Sequence, residues 1–232
     1  MKQKLLVASL LALASTGVMA QSKSFEGAYG QAGIGYEMVS PSLSLGNLNA
    51  TGTGNLVGSY PYSSSISNSN SFTGAVGLGY NFTVTKAFLL GIGAEYNPIA
   101  GQSANYSFNN ATLGRDNGTW KKENSYNIFL SPATPIGKDG LLYGKVGFTG
   151  ASVKSSVTGG TSSTNNLTGY SLGAGYKQFI SGGFYGFGEV NYASYGDNTK
   201  TETSTVSTYR LSQASTFSAN SFNVMVGVGY KF

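Results

Sequence analysis

The chain has 232 residues, including 34 Gly, with 10% charged residues, a formal net charge of +5, and neither Cys nor His. Low charge combined with 13% aromatic residues excludes ordinary disorder, which carries high charge and few aromatics. Without His or Cys, the commonest general base and metal ligand, disulfides, zinc–thiolate sites and a lipoprotein anchor are all absent.

The first element in chain order is an address. Lys2 and Lys4 precede an apolar run from Leu5 to Leu13, and Val18-Met19-Ala20 offers small-residue cleavage before Gln21. This is the pattern of a secretory signal peptide at 1–20, with 21–232 as the mature domain. A retained anchor helix is the weaker reading, because a spanning helix needs about 20 apolar residues. Without Lys2 and Lys4 the balance is 12 basic against 9 acidic residues, too weak and scattered to indicate a nucleic-acid partner.

The remainder alternates with period two, the signature of strands whose faces meet different environments. Eight such segments follow one another: Glu26–Val39, Phe72–Phe82, Ala87–Asn97, Glu123–Ala133, Leu141–Ala151, Leu167–Lys177, Gly183–Tyr195 and Ser221–Phe232. In the second, Phe72, Val76, Leu78, Tyr80 and Phe82 alternate with Thr73, Ala75, Gly77, Gly79 and Asn81. In the last, Phe222, Val224, Val226, Val228, Tyr230 and Phe232 alternate with Asn223, Met225, Gly227, Gly229 and Lys231. Each segment is near the 9–11 residues with which a tilted strand crosses hydrocarbon.

The connections alternate in length. Short turns are expected at Thr83–Lys86, Thr134–Gly140 and Gln178–Gly182, and long loops at Ser40–Ser71, Pro98–Lys122, Ser152–Asn166 and Gly196–Asn220. Tight turns on one side and long loops on the other are the asymmetry of a transmembrane barrel. An even strand number puts both termini on the periplasmic side. The sequence therefore predicts an all-β fold, an eight-stranded antiparallel up-and-down transmembrane β-barrel.

Chemistry assigns the faces. Aromatics cluster at the ends of the apolar face. Phe82, Tyr80, Phe88, Tyr176, Phe184, Tyr230 and Phe232 are expected on the periplasmic side. Tyr36, Tyr96, Tyr126, Phe148, Tyr170, Tyr192 and Phe222 are expected on the outer side. These are two girdles at lipid–water interfaces. The Gly-rich face points into a lumen only wide enough for packed side chains. The run Gly91-Ile92-Gly93-Ala94-Glu95-Tyr96 lacks the third Gly and the helix of a nucleotide-binding fingerprint, so these glycines are strand positions.

On these residues the mature chain resembles the small outer-membrane β-barrel family, which includes OmpX-like proteins, the OmpA membrane domain and opacity-type proteins. The C-terminal run Val224, Val226, Val228, Tyr230 and terminal Phe232 carries the resemblance most specifically. Leu130-Ser131-Pro132 through Leu141–Phe148 is similar to the family's fourth and fifth strands. The resemblance implies that Tyr230 and Phe232 form a signal for the barrel-assembly machinery. It also implies a buried acid–base cluster, for which the family uses an Arg on the last strand where this chain offers Met225 and Asn223.

The ionisable residues expected inside are Glu37, Glu95, Lys145, Lys177, Glu189 and Lys231. A charge in a narrow lumen must be paired or watered. Lys145 is expected to pair with Glu189 or Glu95, giving a lumen charge cluster of Glu95, Lys145 and Glu189 that plugs the barrel or gates a narrow water path.

Ser63–Ser71 and Ser155–Asn166 are nearly low in complexity and read as solvated loop. Tyr60-Pro61-Tyr62 and Trp120-Lys121-Lys122 stand out as contact points or interfacial anchors, with Lys121 and Lys122 placed to meet lipopolysaccharide phosphates.

The function expected is that of a non-enzymatic outer-membrane barrel, structural or interacting through its loops. A small-solute pore ranks second, since eight-stranded barrels are usually filled. The barrel enzymes that resemble it use His, which this chain lacks. No catalytic residue, metal or cofactor is expected, and the expected partners are outer-membrane lipids, lipopolysaccharide and the assembly machinery. A soluble lipocalin-type barrel would reverse the faces, with apolar residues inside.

Overall fold

A computed structural model describes residues 25–111 and 114–232. The signal peptide expected at 1–20 lies outside the described residues. The strands are β1 (Gly27–Leu45), β2 (Leu48–Gly52), β3 (Gly58–Tyr60), β4 (Ser63–Ile66), β5 (Ser69–Thr85) and β6 (Phe88–Asn97). They continue with β7 (Ala104–Asn110), β8 (Gly114–Ile136), β9 (Gly140–Val157), β10 (Ser162–Ser181), β11 (Phe184–Val206) and β12 (Tyr209–Lys231).

Eight of these form a closed antiparallel ring in the order β1-β5-β6-β8-β9-β10-β11-β12, with β12 returning to β1 from Tyr29↔Lys231 to Leu45↔Ser215. Closure leaves no strand edge within the ring, as hydrocarbon demands. The three short turns lie at 86–87, 137–139 and 182–183. Gly137 (φ 65°) and Gly182 (φ 56°) take the left-handed conformation there that a Cβ would resist.

The expected long loops need correction. Most of Ser152–Asn166 and Gly196–Asn220 is ladder, because β9, β10, β11 and β12 continue past the girdle and leave only 158–161 and 207–208 as turns. Ser63–Ser71 likewise forms β4 and the start of β5. Thr and Ser pair well across strands, and such pairs stabilise a ladder without requiring an apolar face. Among the described residues, β7 pairs with β8 and β4, and β2 joins β12 and β3, so the outer end rises as hairpin sheets above the ring.

The faces follow the alternation. Both aromatic sets are exposed, from Phe82, Phe184 and Phe232 at the short-turn end to Tyr36, Tyr170 and Phe222 at the hairpin end. Between them the wall presents Ile34, Leu78, Ile92, Ile128, Val226 and Val228, also exposed. Glu37, Lys145, Lys177 and Glu189 are buried inside. A lipocalin-type arrangement is overturned by this inversion. Hydrocarbon contact accounts for an apolar belt outside a polar lumen. Glycine on the inner face makes room for rings: a Cβ on Gly93 would lie 2.6 Å from the Phe129 ring. Pro132 interrupts the β8–β9 ladder, whose pairs resume in unchanged register from Leu130↔Val146 to Ala133↔Tyr143.

Candidate functional site

The lumen is layered along the barrel axis. At the short-turn end, Phe25, Leu89, Ala133, Leu141 and Tyr143 form an apolar plug with Phe179 against it. Phe25 stacks on Phe179 at 4.3 Å. Lys177 on β10 lies above this plug inside a cage of three tyrosines. Its Nζ is 3.8 Å from the Tyr29 ring centre, 5.2 Å from that of Tyr143 and 5.0 Å from that of Tyr185. Ring faces attract a desolvated ammonium, and β1, β9 and β11 each supply one.

The next layer joins three strands through charge. Lys145 Nζ on β9 donates to Glu95 Oε2 on β6 at 2.6 Å and to Glu189 Oε1 on β11 at 3.2 Å. Lys145 also stands 4.5 Å from the Phe129 ring centre. The carboxylates have further donors. Tyr143 Oη donates to Glu189 Oε2 at 2.8 Å, Asn191 Nδ2 to Glu189 Oε1 at 2.8 Å, and Gln31 Nε2 to Glu95 Oε1 at 3.3 Å. Tyr185 Oη donates to Gln31 Oε1 at 3.1 Å, which ties the aromatic cage to the charged layer. A buried charge triad keeps its shape only when the remaining lone pairs are satisfied in this way.

Above it is a polar cavity of about 60 Å³, lined by Asn97, Asn127, Thr149, Ser171, Asn191 and Asn223 among others. That volume and lining suit a few waters. Ser171 Oγ donates to Asn127 Oδ1 at 2.7 Å and Asn191 Nδ2 to Asn223 Oδ1 at 2.9 Å. The cavity is roofed by a second ion pair, Lys122 Nζ to Glu37 Oε2 at 2.5 Å, whose side chains are 2% and 3% exposed.

The outer plug closes the stack. Val39, Tyr106, Trp120, Val153, Leu167 and Tyr195 pack together with smaller residues, and Ile66, Phe108 and Phe217 lie against them. Trp120 Nε1 donates to the Ser67 carbonyl at 3.1 Å. Burial, reinforced by the nearby Asp116 charge, pushes the Tyr106 phenol above its ordinary value.

The structure brings Glu95, Lys145 and Glu189 into one cluster, with Lys145 bonded to both acids rather than to one. Met225 is buried in the lumen beside Gly33 and Gly35. Lys231 sits at the short-turn rim, its Cε 3.4 Å from where a Gly27 Cβ would stand. Tyr230 and Phe232 face outward with ring centres 5.3 Å apart. The Phe232 amide donates to the Ala28 carbonyl at 3.0 Å, so the last residue is part of the seam.

Trp120 and Lys122 require correction. Neither is a surface anchor or a contact for lipopolysaccharide, since each is 2% exposed inside the barrel. The cause is a β-bulge between Lys122 and Asn124. Alternation from Tyr126 would place Asn124, Lys122 and Trp120 outside. The extra residue, Glu123, reverses the parity above it and turns Lys122 and Trp120 into the lumen. The pair with Glu37 was hidden for the same reason. Among the described residues no group of His, Cys, Asp or Glu is arranged to hold a metal ion.

Comparison with known proteins places the fold. No protein-family model and no curated protein sequence matches the chain. Among solved structures, the outer-membrane protein OprG from Pseudomonas aeruginosa is similar at 13% identity and a TM-score of 0.55, covering 93% of this chain and 99% of that one. Neisserial surface protein A matches at 15% identity and a TM-score of 0.47, over 89% of this chain and 98% of its own. Ail, the attachment invasion locus protein of Yersinia pestis, matches in complex with the heparin analogue sucrose octasulfate. The identity is 16% and the TM-score 0.41, over 89% of this chain and 99% of its own. The chain has the fold of the small outer-membrane β-barrel proteins. Its closed ring, apolar belt and paired girdles are those of a membrane-spanning barrel.

Proposed function

We propose that the protein is a non-enzymatic, plugged outer-membrane barrel whose work is done by the hairpins raised above its outer girdle, as a structural or surface-interacting element. The observation that carries this reading is the filled lumen. Two apolar plugs and two ion-paired layers are stacked through the lumen, with a polar cavity of about 60 Å³ among them. Hydrated solutes need a continuous aqueous path, which larger barrels provide and eight-stranded ones usually do not. The hairpins, by contrast, carry ordered ladder out to Val157 and Val206, a scaffold on which contact residues hold fixed positions. Within this reading, Tyr230 and Phe232 serve as the assembly signal, and outer-membrane lipids and lipopolysaccharide surround the belt.

A small-solute pore is the second reading, favoured by the polar cavity between the ion-paired layers. Planar-bilayer recording separates the two. The plugged barrel gives no discrete conductance steps at 1 M KCl, and Lys145→Met gives none either. Reproducible steps in the wild type that change in Lys145→Met would establish the gated water path instead. Retention of a heat-modifiable band in detergent gels shows that each sample tested is a folded barrel.

A further inference from the structure

The hairpin sheet β4–β7–β8 turns one face inward above the barrel. Tyr106 and Trp120 on that face are buried in the outer plug, and Ile66 and Phe108 lie against it. The register carries the same face upward. Phe108 on β7 is opposite Asp116 on β8 and Ser64 on β4, and Tyr106 is opposite Gly118 and Ile66. The Tyr106 ring lies over Gly118, where a Cβ would collide with it, and its centre is 4.9 Å from that of Phe108. Tyr62 joins the face by alternation with Ser64 and Ile66. Asn110 Nδ2 donates to the Pro61 carbonyl at 2.7 Å, which anchors the chain just before Tyr62.

Rings and a carboxylate thus gather on one face. Tyr62 and Phe108 are half-buried and Asp116 is exposed. Burial, reinforced by the Asp116 charge, raises the Tyr62 phenol above its ordinary value as it does that of Tyr106, so the carboxylate stands near both. The neighbouring cations are turned away or engaged. Arg115 is on the opposite face of β8, where its Nε donates to Asn117 Oδ1 at 3.2 Å, and Lys122 is bound to Glu37. Among the described residues no base lies within ion-pairing distance of Asp116. Deeper in the lumen the same chain seats a cation among rings, Lys177 between Tyr29, Tyr143 and Tyr185.

We propose that Tyr62, Phe108 and Asp116 receive an arginine side chain of an extracellular polypeptide. This inference rests on the surface-interaction reading above and names the chemistry of its partner. A guanidinium is planar, so it stacks on a ring while its fork donates to a carboxylate. One carboxylate matches one cation, whereas a free polyamine carries several charges that each need an acid.

The test uses the mature protein refolded in phosphatidylcholine nanodiscs, each sample first checked for a heat-modifiable band. It is titrated, by ligand-observed NMR, with a blocked pentapeptide carrying one arginine between glycines. Counterpart peptides carry citrulline, the neutral isostere, or lysine. The wild type is expected to bind the arginine peptide about tenfold more tightly than the citrulline peptide. Asp116→Asn removes that difference. Tyr62→Leu/Phe108→Leu lowers arginine binding about fivefold, and Tyr62→Phe, which keeps the ring, retains it. Glu202→Gln, at an exposed acid of β11 opposite Gln213, leaves binding unchanged. Equal affinity for the arginine and citrulline peptides in the wild type overturns the proposal, as does a difference that survives Asp116→Asn. A lysine peptide bound as tightly as the arginine peptide overturns the choice of guanidinium. Spermidine bound as tightly, and lost in Asp116→Asn, overturns a polypeptide as the source. Discrete conductance steps in the wild type defeat the plugged-barrel reading instead, which keeps the two failures distinct.

Discussion

Replacing Lys145 by Met removes the cation shared by Glu95 and Glu189 while keeping most of the side-chain volume. The ammonium is 2.6 Å from one carboxylate and 3.2 Å from the other, with its own side chain 2% exposed. Removing one partner of a buried ion pair costs about 3–5 kcal/mol, because the orphaned charge stays buried. The two acids are orphaned unequally. Glu189 keeps Tyr143 Oη and Asn191 Nδ2 as donors at 2.8 Å, whereas Glu95 keeps only the longer bond from Gln31 at 3.3 Å. Adding Glu95→Gln to Lys145→Met should therefore restore about 2 kcal/mol, and adding Glu189→Gln distinctly less. Urea unfolding from lipid vesicles measures this, followed by the gel shift and by the emission of Trp120, the one Trp of the chain. A Lys145→Met cost below about 1 kcal/mol, or better rescue by Glu189→Gln, would refute the account of the charged layer.

The same unfolding measurement, followed by the gel shift alone where Trp120 is replaced, checks four further expectations. Lys122→Met should cost about 3–5 kcal/mol, and Lys122→Met/Glu37→Gln should recover most of it, since that pair is 2% and 3% exposed. Trp120→Ala should cost about 3–5 kcal/mol and raise amide exchange in the outer hairpins while the girdle-to-girdle strands stay protected, because it hollows the outer plug and frees the Ser67 carbonyl. Gly93→Ala should cost about 1–3 kcal/mol, since its Cβ would stand 2.6 Å from the Phe129 ring. Gly144→Ala, whose Cβ meets nothing nearer than 3.8 Å, should stay within about 0.5 kcal/mol of wild type.

Alternation by itself determined the ring, its two faces and both girdles, because hydrocarbon outside and crowded polar packing inside impose opposite demands on successive residues. Lys145 with Glu95 and Glu189 was legible for the same reason: three inward ionisable residues in a narrow lumen must find each other. Only the tertiary structure decided the fate of Lys122 and Trp120, where a single bulged residue reverses parity and local composition carries no mark of it. It also decided how far the strands run. The Ser, Thr and Asn of 152–166 and 196–220 read as solvated loop, yet they form ladder by folding back on themselves as hairpins, from Ser152↔Asn166 to Ser156↔Ser162 and from Thr199↔Thr216 to Val206↔Tyr209. Such a hairpin has polar residues on both faces, so the apolar/polar alternation that marks the ring strands is missing there.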